Sequence, residues 1–229
     1  MKLSIVIPVF NEERTLATLI GRVLAVPYEK ELIIVDDAST DGSSRIMEEL
    51  AARHPGLRLI RHAQNRGKGA ALATGLRQVT GDIVLIQDAD LEYDPADYPA
   101  LLKPLEDGHA DVVFGSRFLG GPFQRVHLYH HYLGNRFLTA LSNLFTNLNL
   151  TDMETCYKVF RREVADKLDI QSRGFAVEPE ITAKVARLKV RVYEVPIRYA
   201  GRDYAAGKKI RPRDGFIAVW AIVRWGLFK

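Results

Sequence analysis

Short apolar runs at residues 3–8, 31–35, 57–61, 82–86 and 111–115 alternate with stretches whose apolar side chains recur at helical spacing. This rhythm narrows the possible folds more than any other feature of the chain. Parallel strands cannot be joined by a tight turn; they need a crossover, which a helix supplies. Strands covered by helices on both faces lose the alternation of apolar and polar residues and read as continuous apolar runs, as these do. The first intervening stretch sets Leu16, Leu19, Ile20, Val23 and Leu24 on one face, and the third, 68–79, follows a glycine-rich entry. The expected architecture is a three-layer α/β fold with a mostly parallel central sheet, in which ligands bind beyond the carboxyl ends of the strands.

Past residue 120 the pattern changes. Gly120-Gly121-Pro122 opens a linker, a helical stretch follows at 134–148, and a strand at 192–199 precedes a basic loop and an apolar C-terminal helix. With 229 residues, 47% of them hydrophobic, the chain has material for one sizeable core. It contains no internal repeat or low-complexity segment, so residues 1–229 are expected to form a single domain. The apolar residues after Met1-Lys2 run into Pro8 and Asn11-Glu12-Glu13 without a small-residue cleavage site, which reads as a buried first strand. No run approaches the roughly 20 apolar residues that span a bilayer. The longest candidate, 216–223, stops at Arg224, and the expectation is a soluble or peripheral protein. The lone Cys156 forms no internal disulfide, which fits a reducing cytoplasm. The net charge of +4 permits an anionic partner, but the basic residues gather in one loop without interleaved aromatics, and no nucleic-acid partner is expected.

Four polar clusters sit where the expected strands end: Pro8 to Glu12, Asp36-Asp37-Ala38-Ser39, Asp88-Ala89-Asp90-Leu91-Glu92 and Gly115-Ser116-Arg117. Their common position makes them neighbours on one sheet edge. Asp88, Asp90 and Glu92 place three carboxylates within five residues, a charge density that calls for a cation or hydrogen-bond donors. Hard oxygen ligands suit Mg²⁺ or Mn²⁺; a solvated turn before Asp94-Pro95 is the structural alternative.

The segments Ile5-Val6-Ile7-Pro8-Val9-Phe10-Asn11-Glu12-Glu13, Val35-Asp36-Asp37-Ala38-Ser39-Thr40-Asp41-Gly42, Asn65-Arg66-Gly67-Lys68-Gly69 and Asp88-Ala89-Asp90, taken in order, resemble the family-two glycosyltransferases. Within that family they are similar to dolichyl-phosphate mannose synthases and their bacterial polyprenyl-phosphate relatives. The resemblance covers nearly the whole chain. It implies a nucleotide-binding fold of the glycosyltransferase A type, a donor-binding half at 1–120 and an acceptor-binding half at 121–229. It also implies inversion of the anomeric carbon by direct displacement. The nucleoside contacts it implies are Pro8, Phe10, Glu12, Val35 and Asp37, with Asp37 accepting from the base and Glu12 suited to ribose hydroxyls. The implied diphosphate and metal contacts are Asp88, Ala89, Asp90 and Glu92, with Mg²⁺ or Mn²⁺ as cofactor and Arg117, Arg202 and Lys208 as cationic partners. Two departures leave the donor open between GDP- and UDP-sugars and between mannose and glucose. Glu92 stands where the mannose synthases usually carry Gln, and Thr155-Cys156-Tyr157-Lys158 replaces Ser-Gly-aromatic-Arg.

The expected reaction is metal-dependent transfer of that hexose to a polyprenyl or dolichyl phosphate. A sugar-hydroxyl acceptor and a non-catalytic nucleotide-binding subunit are the alternatives. Asp90 and Asp152 are the catalytic candidates: a hydroxyl acceptor needs Asp152 as general base, whereas a phosphate monoester is already anionic and leaves it a positioning role or an N-cap. The loop from Arg202 to Arg213 reads as a lid over the donor or as a solvated basic loop. Lys68 reads as an anion contact or as part of a glycine-permitted turn. In the 134–148 stretch Phe137, Leu138, Leu141, Leu144, Phe145 and Leu148 share a face opposite Asn135, Thr139, Ser142, Asn143, Thr146 and Asn147. That stripe packs on a core or on a lipid surface. The C-terminal helix likewise needs a core, a membrane-anchored subunit or a bilayer to cover it, placing the protein peripherally at the cytoplasmic membrane face.

Overall fold

The computed structural model describes residues 1–120, 128–201 and 212–227. Five strand–helix units carry the expected rhythm: β1 (Leu3–Val9), α1 (Leu16–Ala25), β2 (Lys30–Asp36), α2 (Ser43–Arg53), β3 (Leu57–Arg61), α3 (Lys68–Leu76), β4 (Ile83–Ile86), α4 (Tyr98–Glu106), β5 (Val112–Ser116) and α5 (Tyr129–Thr146). There follow β6 (Lys158–Arg161), α6 (Arg162–Ala165), α7 (Val177–Leu188), β7 (Val192–Pro196) and α8 (Pro212–Leu227). The seven strands form one sheet in the order β3-β2-β1-β4-β6-β5-β7. Among the described strands only β6 runs antiparallel to its neighbours. Successive residues of β1, β2, β4 and β5 are nearly all buried although they point to opposite faces, so the sheet is covered on both sides. α1 follows the same logic, with Leu16, Leu19, Ile20 and Val23 turned into the core.

The strand absent from the sequence reading is β6. It offers only Val159 and Phe160 as an apolar run, too short to register as a strand. Its position matters: a strand from the second half of the chain sits between β4 and β5 of the first. Because β6 is reversed, its amino end lies at the edge where β1, β2, β4, β5 and β7 finish. The segment leading into β6, which holds Asp152, is thereby carried across the mouth of the sheet.

At the opposite, amino edge the chain builds a closed polar cluster around Glu31. Its carboxylate accepts from Ser4 Oγ at 2.6 Å, Thr80 Oγ1 at 2.8 Å and Lys2 Nζ at 3.1 Å, and from the Thr80 amide. Burial alone would raise the pKa of this carboxyl, but the bonds from Ser4, Thr80 and Lys2 outweigh it and draw the value down to about 2.

α5 turns part of its polar face inward. Its buried residues are Thr139 and Ser142, from the polar face, while Tyr129, Leu133, Phe137 and Leu144 are exposed. The inward polar side chains have work to do: Thr139 Oγ1 accepts from the Met153 amide at 3.1 Å, and Asn143 bonds both the carbonyl and the amide of Leu150. α8 packs on α5 and α7, burying Ala218, Ala221, Ile222 and Trp225 and leaving Phe216, Ile217, Trp220 and Leu227 exposed. The stripe on α5 is therefore divided: Phe137 and Leu144 face outward, Leu138, Leu141 and Phe145 are half-buried, and Leu148 packs on the core. Among the described residues no helix is long and apolar enough to cross a membrane.

Candidate functional site

The carboxyl ends of β1, β2, β4 and β5 bring the four polar clusters to one edge, as the strand rhythm implied. At β1 and β2 the clusters are bound to each other. Asn11, with φ of 53°, turns the chain so that its side chain accepts from the Thr40 amide at 2.8 Å. The Glu12 amide bonds Ser43 Oγ at 2.8 Å, and Thr15 Oγ1 donates to the Glu12 carboxylate at 3.0 Å and lies 3.1 Å from the Ala89 carbonyl. Thr15 thus ties the end of β1 to the acidic cluster. Pro8 pairs in register with Val35, whose side chain is fully buried in the sheet, and Phe10 stays half-buried at the edge.

Asp37 is buried, and its carboxylate organises the next loop. It lies 2.6 Å from His62 Nδ1 and accepts from the amides of Arg66 at 2.9 Å and Gly67 at 2.7 Å. His62 Nε2 lies 2.9 Å from the Thr74 hydroxyl on its other side. The glycines that follow are required sterically. A Cβ at Gly67, where φ is 89°, would meet the Arg173 carbonyl, and one at Gly69 would collide with that of Ser172. This close approach delivers Lys68 into the site. Its ammonium lies 2.8 Å from Asp88 and 3.0 Å from Glu178 of α7. Burial works against its charge, yet Asp88 and Glu178 outweigh it and hold the pKa well above that of a free lysine. The glycines make the turn, as the second reading of this segment had it, and Lys68 faces the acidic cluster.

At the end of β4, Asp90 Oδ1 accepts from the Glu92 amide at 3.2 Å, and Glu92 Oε2 accepts from the Tyr199 hydroxyl at 2.7 Å. Behind the cluster Gln87 Oε1 accepts from Tyr98 and Tyr157, each at 2.8 Å, which fixes the floor. Among the described residues no three His, Cys, Asp or Glu side chains converge as a metal cage. Asp88 and Asp90 nevertheless supply hard oxygen donors of the kind Mg²⁺ and Mn²⁺ use in ones and twos, with substrate oxygens completing the shell.

Arg117, at the end of β5, is buried against Asp152. Its Nε and Nη2 bond the two carboxylate oxygens at 2.7 Å each, and its amide bonds Oδ2 at 3.0 Å. The guanidinium also lies over Tyr199, 5.1 Å from the ring centre. Asp152 is fully buried, and no helix begins there, which removes the N-cap reading. Glu194 of β7 fixes this turn, accepting from the amides of Thr151 at 2.9 Å and Asp152 at 3.2 Å. Burial raises the Glu194 pKa against those bonds. Arg202 and Lys208, with the rest of residues 202–211, lie outside the described residues, and the expected loop ends where α8 begins at Pro212.

Several residues at this edge escaped the sequence reading. Glu178 reads as an ordinary acidic residue in the first turn of a helix, where it complements the dipole. Glu194 alternates with apolar neighbours on an expected strand and reads as solvent-facing. Lys158 stood out only as a departure from the Ser-Gly-aromatic-Arg pattern. It is fully buried, bonded to Glu178 and to the carbonyls of Met153 and Thr155. It straps the segment after Asp152 to α7.

Residues 4–169 match the family model described as glycosyl transferase family 2. Over 99% of its length the chain is 30% identical to undecaprenyl-phosphate mannosyltransferase of Micrococcus luteus, covering 95% of that protein. It is 28% identical to polyprenol monophosphomannose synthase of Mycolicibacterium smegmatis over 97% of this chain and 86% of the relative. The fold is shared with glucosyl-3-phosphoglycerate synthase from Mycobacterium tuberculosis, solved in complex with Mn²⁺, UDP-glucose and phosphoglyceric acid. That similarity has a TM-score of 0.73 at 23% identity, covering 98% of this chain and 79% of the other.

Proposed function

The chain belongs to glycosyl transferase family 2, and on that premise we propose that it transfers a mannose or glucose unit from a GDP- or UDP-sugar to a polyprenyl-type lipid phosphate. The observation that carries this reading is the outward apolar surface of α5. Its polar side holds the segment after Asp152, through Thr139 and Met153, while Phe137 and Leu144 on its other side face outward. An acceptor whose tail lies in a lipid surface and whose phosphate reaches a sheet edge needs such an element between the two. Trp220 and Phe216 on α8 add to the exposed apolar surface, and the protein sits peripherally on the membrane face. The two relatives named for polyprenyl phosphate chemistry support the same acceptor.

Pro8, Phe10, Glu12, Val35 and Asp37 belong to the nucleoside end of the donor site; Val35 and Asp37 shape it from within, since their side chains are buried. Asp88, Ala89, Asp90 and Glu92 form its diphosphate end. Asp88 and Asp90 would hold Mg²⁺ or Mn²⁺, with Glu92 anchoring the turn through Tyr199; the ion supplies neutralisation of the departing diphosphate. Mn²⁺ in the solved complex of the mycobacterial synthase supports this cofactor. A phosphate monoester is already anionic, so its oxygen bonds to the anomeric carbon as the bond to the diphosphate breaks on the opposite side, and no base is required. Asp152 then serves by orienting Arg117, whose guanidinium it grips in a bidentate pair. Arg202 and Lys208 are proposed as further cations for the diphosphate.

A matrix of nucleotide sugars against polyprenyl phosphate and free sugar acceptors, with and without divalent metal, tests the reading. The expected product is a metal-dependent, lipid-linked hexose. Transfer only to sugar hydroxyls, or none to any acceptor, would overturn it.

A further inference from the structure

Among the described residues only two buried side-chain oxygens lack a hydrogen-bond partner, and they belong to consecutive residues: Oε1 of Glu154 and Oγ1 of Thr155. Both stand on the segment that β6 carries across the mouth of the sheet, two and three residues after Asp152. Buried polar atoms are otherwise satisfied almost without exception, because an unpaired one has lost its water and gained nothing in return. Two such atoms on consecutive residues of the segment at the ligand edge therefore point to a partner that arrives with the ligand.

The charges around Glu154 restrict what that partner is. Lys68 is matched by Asp88 and Glu178, Lys158 by Glu178, and Arg117 by Asp152. Three cations thus already face three carboxylates, and an ionised Glu154 would be an unbalanced fourth anion. Burial first, and then Glu178, raise its carboxyl pKa, to about 7, against the opposing pull of Lys158 and Arg117, with Asp152 adding to the rise. Near neutral pH the carboxyl offers both a proton and a lone pair, and Thr155 Oγ1 offers the same. A phosphate would meet a carboxyl and a hydroxyl here, with the nearby cations already committed to carboxylates. A hydroxyl group, donor and acceptor at once, satisfies both atoms.

We propose that Glu154 and Thr155 form the hexose-reading subsite, their unpartnered oxygens exchanging hydrogen bonds with hydroxyls of the sugar being transferred. This rests on the family's glycosyl-transfer chemistry but not on the identity of the acceptor. The pair discriminates between hexoses, since a ring that presents a hydroxyl to Oε1 satisfies it and an epimer or deoxy sugar leaves it bare. In this arrangement Lys158 is a positioning residue, because it holds the carbonyls on either side of Glu154.

The test is binding, measured calorimetrically without acceptor. Wild type, Glu154→Ala, Glu154→Gln and Thr155→Val are each titrated with a nucleoside diphosphate and with the corresponding nucleotide sugar. Glu154→Ala is expected to weaken nucleotide-sugar binding by about tenfold or more while leaving the bare nucleotide unchanged. Glu154→Gln, which keeps a donor and an acceptor, stays within about threefold of wild type, and its preference among hexose epimers shifts. If Glu154→Ala does not fold, the near-isosteric Thr155→Val decides, with a smaller loss confined to the sugar-bearing ligand. Equal losses for nucleotide and nucleotide sugar, or no loss for either, would overturn the proposal and leave the two oxygens to bound water. A wild-type protein that binds no nucleotide sugar would instead overturn the donor reading itself.

Discussion

At the amino edge of the sheet Glu31 is surrounded by donors, whereas at the carboxyl edge Glu154 keeps one oxygen without any. Both are acidic side chains with oxygens shut away from water, and the fold moves them in opposite directions. Glu31 is drawn down to about 2 and Glu154 lifted to about 7. The difference separates an edge that the chain closes for itself from one that it leaves for a ligand. Interactions that complete themselves on folding report stability; those left incomplete mark where function sits.

The comparison is tested most severely at Arg117, the satisfied ion pair of the ligand edge. Arg117→Met leaves Asp152 buried and uncompensated, and the expected loss is about 3–5 kcal/mol by chemical denaturation. A loss below about 1 kcal/mol would mean that the pair is wet, and that the carboxyl edge is open throughout. Glu31→Gln is expected to cost about 1–3 kcal/mol near neutral pH. A carboxyl with a depressed folded pKa stabilises above its unfolded value of about 4.3 and loses that contribution as the pH falls toward about 2. The variant's acid limb should accordingly be flatter than that of wild type over this window.

The smallest effect has the opposite sign. Glu154 has a raised folded pKa, so the folded state holds a proton that the unfolded chain gives up near about pH 4.3. Stability therefore drains as the pH rises from there through about 7. Glu154→Gln removes that loss and should gain about 1–2 kcal/mol on wild type between about pH 5 and about pH 6, read from melting curves. A destabilised variant at the higher pH would erase the contrast between the two edges.

Much of this architecture was legible in the residues. The five apolar runs and the expected strand at 192–199 located six of the seven described strands, and the polar residues that follow the runs converge on one edge because parallel strands finish together. β6 was not legible, since Val159 and Phe160 alone carry no period. The contacts that give the edge its chemistry were hidden for a related reason. Lys158 and Glu178 are buried charges whose pairing depends on a strand inserted between β4 and β5 and on a helix twenty residues farther on, and local sequence records neither. The stripe on α5 was visible as a pattern, but its direction was not. An amphipathic helix announces two faces, and only the neighbours of Thr139 and Ser142 decide how much of each turns inward.

The central claim, that a hexose is transferred to a lipid phosphate from a donor held at the end of β4, is tested most directly with Asp90→Ala. Labelled hexose recovered in lipid-linked form is measured for wild type and variant with polyprenyl phosphate and Mn²⁺ present. The account predicts product from wild type and a fall of about a thousandfold or more in the variant, since the charge on the leaving diphosphate goes unneutralised. Undiminished, metal-dependent product from Asp90→Ala would contradict it.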